Sequence, residues 1–171
     1  MTKLKSHPEK SLFSHLKNTA ELSKKIVESK KLENNDIYSK IAYLNGIAHD
    51  FAKSTTFFQK WLSQEERTEN AIHGHFSSIF GYFLVKIFLT HNGLKNSFDS
   101  LPAITFVVIN KHHGNLINIM GGHSNLVDKI KDKKSKQIIK KQITDIRNNN
   151  FDEIKSIYKA LLNGFDFEIS L

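Results

Sequence analysis

Residues 46–53, Gly-Ile-Ala-His-Asp-Phe-Ala-Lys, set a histidine directly beside an aspartate in an apolar segment and add a lysine three residues later. The apolar residues before them recur at three- and four-residue spacings, which predicts a helix that begins near Asp36 and ends with His49 and Asp50. Ionisable side chains are seldom buried unless they are paired or bind a metal. This helix end is therefore the first candidate for a functional site.

Apolar periodicity elsewhere along the chain is also helical. It predicts helices over residues 11–29, 57–62, 70–91, 103–112, 124–147 and 151–162. The run Ala103–Ile109 is β-branched enough for a buried strand, but no second run of similar character exists to pair with it, and unpaired backbone groups are costly to bury. A helix ending at His112-His113-Gly114 is favoured, and the predicted fold class is all-α.

Composition and charge limit the class of protein. The 171 residues contain no cysteine, so disulfides and thiolate metal sites are excluded, and a single domain over residues 1–171 is expected. No segment has the long apolar run of a secretion signal or a membrane span, which predicts a cytoplasmic protein without membrane contact. A formal net charge of +8 favours polyanionic partners, although a lysine-rich surface also serves solubility.

The histidines suggest a metal site. His49-Asp50 and His112-His113 lie at predicted helix ends, and His15 and His73 lie on other predicted helices near apolar runs. Imidazole and carboxylate ligands suit divalent transition metals, and one carboxylate can bridge two ions. Two ions about 4 Å apart can activate a water and hold both reacting oxygens of a phosphoester. The implied chemistry is phosphoester hydrolysis.

Four motifs occur in a specific order over residues 7–114. They are Ser11-Leu-Phe-Ser-His-Leu16, Ile47-Ala-His-Asp-Phe-Ala-Lys53 followed by Phe57-Phe-Gln59, His73 followed by Ser77-Ser78, and Ile109-Asn-Lys-His-His-Gly114. In order and spacing they resemble the HD superfamily of metal-dependent phosphohydrolases, and within it the HD nuclease of type I CRISPR interference. The lysine followed by an aromatic-glutamine pair is similar to the CRISPR branch in particular.

This resemblance implies a compact HD-domain helical bundle that binds two divalent ions, with Mg²⁺, Mn²⁺, Co²⁺ and Ni²⁺ as the candidates. The implied ligands are His15, His49 and Asp50 for one ion, and Asp50, His73, His112 and His113 for the other. Asp50 and Lys53 would be catalytic, with Lys53 facing the scissile phosphate and stabilising charge that develops there. Lys53 and Lys111 are the expected nucleic-acid contacts.

The resemblance also implies an activity and partners. The chain would hydrolyse single-stranded DNA, or RNA, as an endonuclease or exonuclease beside a CRISPR helicase and an RNA-guided surveillance complex. The alternatives are an HD phosphohydrolase for a small nucleotide and a non-catalytic domain that docks a helicase. His75 competes with His73 as a ligand, although the spacing to Ser77-Ser78 favours His73. The family's late aspartate has no clear counterpart, and the candidates are Asp128, Asp145, Asp166 or a residue outside this chain.

Overall fold

The computed structural model describes residues 3–114 and 132–167. These residues are mostly α-helical, which confirms the predicted fold class. The helices are α1 (Leu12–Glu28), α2 (Asn35–Ala48), α3 (Thr56–Leu62), α4 (Gly74–His91), α5 (Leu101–Asn110), α6 (Lys133–Asp145) and α7 (Phe151–Leu161). Short 3₁₀ helices cover Phe51–Ser54 and Glu69–Ala71, and a π-helical turn, Ile146–Asn150, joins α6 to α7.

A small β-hairpin precedes the first helix and was not predicted. Its strands, β1 (Lys5–His7) and β2 (Lys10–Ser11), pair antiparallel. The buried Leu4 leads into it, and the backbone N–H of Leu4 donates to the carboxylate of Glu153 on α7 at 2.9 Å. The hairpin is therefore fastened to the body of the protein by backbone contacts that leave no periodic pattern in the sequence.

The closest helix pair, α1 and α2, positions the first predicted ligands. The Ser11 hydroxyl caps α1 by accepting a hydrogen bond from the Ser14 N–H at 3.1 Å. The two backbones meet at Gly46, where an added Cβ would lie 2.4 Å from the Cα of Ala20. Only glycine allows this approach, and it brings His15 on α1 beside the end of α2.

The helix predicted over residues 70–91 begins later than expected, and that part of the prediction is wrong. A 3₁₀ turn covers Glu69–Ala71, Ile72 is extended, and α4 begins only at Gly74. Gln142 on α6 donates from Nε2 to the carbonyls of Asn70 and Ile72, both at 2.8 Å. These carbonyls are held by α6 instead of continuing a helix, which leaves His73 at the break.

The C-terminal helices follow the prediction in part. The Asp132 carboxylate caps α6 by accepting from the Ser135 N–H at 2.7 Å, while residues 124–131 of the predicted basic helix lie outside the described residues. The break expected at residues 148–150 is the π-helical turn, so α6 and α7 are joined by wound backbone. The predicted last helix, 151–162, agrees with α7 to within one residue.

One helical segment of the described residues, Glu69–His91, is long and apolar enough to cross a membrane by length and composition alone. A core helix passes the same test. Here α4 contacts both α2 and α5, and it contributes Leu84, Val85, Phe88 and Leu89 to the buried core.

Candidate metal centre

The ends of three helices and the break before α4 supply the centre. His15 lies in the first turns of α1, and His49 and Asp50 follow the end of α2. His73 lies at the break before α4, and His112 and His113 lie in the turn after α5. Helix ends can aim side chains at a common point because the backbone direction changes there. These four segments all meet at Asp50.

Asp50 is the hub of the cluster, and its side chain is almost completely buried, with 1% of the residue exposed. Its Oδ2 lies 2.8 Å from Nε2 of His15 and 3.3 Å from Nε2 of His49. Its Oδ1 lies 3.2 Å from Nε2 of His73 and 3.3 Å from Nε2 of His112. Each carboxylate oxygen therefore faces its own pair of imidazoles.

Two groups of possible metal ligands result, and they share Asp50. We call His15, His49 and Asp50 the first ligand set, and Asp50, His73, His112 and His113 the second ligand set. Within each set the ligand atoms all lie within 4.8 Å of one another. The structure thus brings all six sequence-predicted ligands together, in the same two groups that the resemblance implies. The buried Asp50 and the histidines around it lie within metal-binding distance of each other.

The hydrogen bonds of two histidines show that the cluster suits a cation. Nδ1 of His49 lies 2.7 Å from the Gly46 carbonyl, and Nδ1 of His112 lies 2.6 Å from the Ile109 carbonyl. A carbonyl can only accept, so in the neutral ring Nδ1 carries the proton and Nε2 presents a lone pair to Asp50. Such carbonyl contacts are the usual outer support of metal-binding histidines.

Two buried atoms support the same conclusion. Oδ1 of Asp50 and Nε2 of His112 are both buried, and neither has a hydrogen-bond partner in residues 3–114 and 132–167. Two acceptor atoms 3.3 Å apart repel each other unless a proton or a metal ion lies between them. The donor set of imidazoles and carboxylate therefore fits a divalent transition metal.

Burial and hydrogen bonding shift the protonation of the cluster. Burial alone would raise the pKa of Asp50, but the imidazoles of His112, His15, His49 and His73 that surround it outweigh burial and hold that pKa well below its usual range. Burial lowers the pKa of His112, but the neighbouring Asp50 carboxylate and the hydrogen bond to the Ile109 carbonyl together more than offset burial, and the net pKa is raised. The pKa of His113 is lowered by burial and by its two histidine neighbours. Asp50 is consequently a charged carboxylate, the form that binds metal.

The two lysines predicted to contact the substrate, Lys53 and Lys111, differ in their burial and their contacts. Lys53 is only 5% exposed, and its Nζ lies 2.8 Å from Oδ2 of Asp50 and 3.4 Å from the Ser6 carbonyl. Its ammonium is thus held by Asp50, and the predicted contact with a phosphate stays a prediction. Lys111 is half-buried at the end of α5, and its contact with nucleic acid also stays a prediction.

The competing ligands lie elsewhere. His75 belongs to neither ligand set; its Nδ1 lies 3.1 Å from Nδ2 of Asn110. The Asp145 carboxylate accepts from the Thr56 backbone N–H at 2.6 Å and from the Thr56 hydroxyl, so it is bonded to the first residue of α3. Asp166 is exposed and belongs to neither set, and Asp128 lies outside the described residues. Within the part of the chain that the structure describes, the first ligand set has no late aspartate.

Two residues near the centre were missed by sequence reasoning. His7, which the sequence analysis does not single out, has its ring centroid 5.1 Å from that of His15. Gln59, noted only as part of a motif, bonds to the backbone of both Lys5 and Lys53. The unpredicted hairpin brings His7 to the centre, and nothing in the local sequence indicates that contact.

Comparison with known protein families, with curated proteins and with solved structures finds no match.

Proposed function

We propose that this chain is an HD-type, divalent-metal-dependent nuclease that hydrolyses single-stranded DNA in CRISPR interference. One observation carries the proposal: two ligand sets of histidines meet on the two oxygens of one buried aspartate, Asp50. Divalent ions, when bound by these residues, would activate a water at neutral pH and would neutralise charge on the phosphoryl oxygens.

Different residues would hold the metal ions and fix the orientation of their ligands. Imidazole Nε2 atoms of both sets would bind metal, and Asp50 would bridge, because each of its oxygens faces a different set. The carbonyls of Gly46 and Ile109 fix the rings that they contact. Lys53 would hold Oδ2 of Asp50 in place and support its negative charge, because its Nζ contacts that oxygen directly.

Accessibility and charge support a polymeric substrate over a small nucleotide. His113 in the second ligand set is exposed, and His7, beside the first set, is exposed too. The cluster therefore reaches the surface at two edges, so a strand longer than the site could lie across it. The net charge of +8 favours a polyanion. The CRISPR context rests on the resemblance of the motif Lys53 with Phe57-Phe58-Gln59.

The proposal is tested with a labelled single-stranded oligonucleotide and metal-stripped protein, re-supplied singly with Mg²⁺, Mn²⁺, Co²⁺ or Ni²⁺. Asp50→Ala is the test variant, and Asp166→Ala is its matched control, because Asp166 is an exposed aspartate outside both ligand sets. We expect metal to restore cutting in wild type and Asp166→Ala but not in Asp50→Ala. A circular oligonucleotide in parallel separates endonuclease from exonuclease activity.

Other outcomes would redirect the assignment. Bound metal with release of phosphate or nucleoside from free nucleotides, and no cutting of oligonucleotides, would indicate the small-nucleotide hydrolase. Bound metal without hydrolysis of either substrate would indicate a docking domain. A wild-type protein that binds none of the four metals would refute the proposed function.

A further inference from the structure

The N-terminal hairpin forms one wall of the candidate centre. The Ser6 carbonyl on β1 lies 3.4 Å from Nζ of Lys53, the same ammonium that contacts Asp50 at 2.8 Å. Ser6 itself is buried, whereas the next residue, His7, is exposed. The ring of His7 stands edge-on to that of His15, with centroids 5.1 Å apart. His7 thus lies at the solvent edge of the first ligand set.

His7 is placed to meet a molecule that approaches from solvent. Its Nδ1 lies 3.1 Å from the Ser6 hydroxyl, which orients the ring. Its Nε2 makes no hydrogen bond to any residue in the described ranges, and His7 belongs to neither ligand set. A ring nitrogen without a partner among the described residues, next to a candidate metal centre and on an exposed side chain, suits a hydrogen bond with a substrate oxygen.

Gln59 on α3 holds this wall in position. Its Oε1 accepts from the Lys5 N–H at 3.0 Å, and its Nε2 donates to the Lys5 carbonyl at 2.8 Å. The same Nε2 donates to the Lys53 carbonyl at 2.7 Å. One amide side chain therefore pairs with the edge of β1 as a neighbouring strand would, and ties it to the 3₁₀ turn that carries Lys53.

We propose that His7 is a substrate-contacting residue that hydrogen-bonds the phosphodiester beside the first ligand set, and that Gln59 is the positioning residue that holds the hairpin so that His7 can do so. The inference rests on the proposed function and adds a group outside the metal ligands. In this proposal the hairpin takes part in substrate binding. Gln59 affects the reaction only by holding His7 in place.

The test of His7 compares cleavage kinetics and bound metal in wild type, His7→Ala and His7→Gln. His91→Ala is the control, because His91 is an exposed histidine outside both ligand sets. A hydrogen bond to a charged group is worth roughly a ten- to hundredfold change in kcat/KM, so His7→Ala should lose about that much. Bound metal should stay at the wild-type level, and His7→Gln, whose amide can reach the same oxygen, should recover part of the loss.

The test of Gln59 uses Gln59→Glu, which keeps the size of the side chain. It retains an acceptor for the Lys5 N–H but sets a carboxylate oxygen against two carbonyls. We expect kcat/KM to fall about tenfold, which corresponds to the loss of one or two hydrogen bonds. Because the hairpin would be held less firmly, we also expect trypsin to cut faster after Lys5 and Lys10. Because Gln59 acts through His7, the double variant should lose no more than His7→Ala alone.

Each contrary result identifies what fails. Unchanged kcat/KM in His7→Ala, or no recovery in His7→Gln, would overturn the substrate contact. Loss of bound metal in His7→Ala would make it a ligand instead. Additive losses in the double variant, or wild-type resistance to trypsin in Gln59→Glu, would overturn the positioning role. If wild-type protein cuts no oligonucleotide with any metal, the proposed function fails first and the inference with it.

Discussion

We expect Asp50→Ala to remove two bound metal ions, whereas His15→Ala and His113→Ala remove one each. The reason is the geometry of the carboxylate: Oδ2 lies 2.8 Å from the first ligand set at His15, and Oδ1 lies 3.2 Å from the second at His73. His15 and His113 each belong to a single set. Asp50 is the single described residue that belongs to both.

The size of the effect follows from linkage between metal binding and folding. An ion that binds only the folded state at 100 times its Kd stabilises that state by about 2.7 kcal/mol. In a domain of 171 residues, 1 kcal/mol corresponds to roughly 2–4 °C in Tm. One ion should therefore raise Tm by about 5–11 °C, and two ions by about twice as much. Asp50→Ala should show almost none of this increase.

The assay combines elemental analysis of dialysed protein with thermal unfolding in the presence of metal or chelator. His91→Ala is the control and should match wild type in both measurements. The reasoning would be refuted if Asp50→Ala kept one equivalent of metal, because the carboxylate would then not be shared. It would equally be refuted if His113→Ala lost both equivalents, because the two sets would then form one site.

Three further predictions concern stability and are measured by urea unfolding in chelator. Gly46→Ala should lower the free energy of unfolding by about 1–3 kcal/mol, because the new Cβ would force α1 and α2 apart; a wild-type midpoint would contradict the 2.4 Å approach. Asp145→Ala should cost about 2 kcal/mol by leaving the Thr56 N–H at the start of α3 without its charged acceptor; metal bound to the dialysed protein should be unchanged, and its loss would instead make Asp145 the late ligand. Tyr158→Phe should cost about 1 kcal/mol, because the buried hydroxyl donates to the Ile47 carbonyl at 2.6 Å; an unchanged free energy would show that this bond contributes nothing.

Most helices were predictable because their apolar residues are periodic over several turns. The N-terminal limit of α4 was not, since it depends on Gln142, a residue 70 positions away that holds the Ile72 carbonyl. The hairpin was not predictable either, because strands of two and three residues are too short to show a period of two. Long-range hydrogen bonds and very short elements are thus the parts of this fold that local pattern misses.

The candidate site was also predictable only in part, for the same reason. The six residues that the structure brings together could be predicted from residue chemistry and motif order, because histidines at helix ends are visible in the sequence. The direction of Lys53 could not be predicted, because it depends on which atoms surround its ammonium: Asp50 and the Ser6 carbonyl of the unpredicted hairpin. The place of His7 depends on that hairpin as well.

The position of Lys53 makes the two ligand sets unequal. Its ammonium lies 2.8 Å from Oδ2 of Asp50, the oxygen that the first ligand set uses, while Oδ1 has no hydrogen-bond partner among the described residues. A metal ion in the first set must therefore share its carboxylate oxygen with a buried positive charge, and the repulsion between them is poorly screened there. The second set also offers four ligands against three. The ion that remains in His15→Ala should consequently be held more tightly than the ion that remains in His113→Ala.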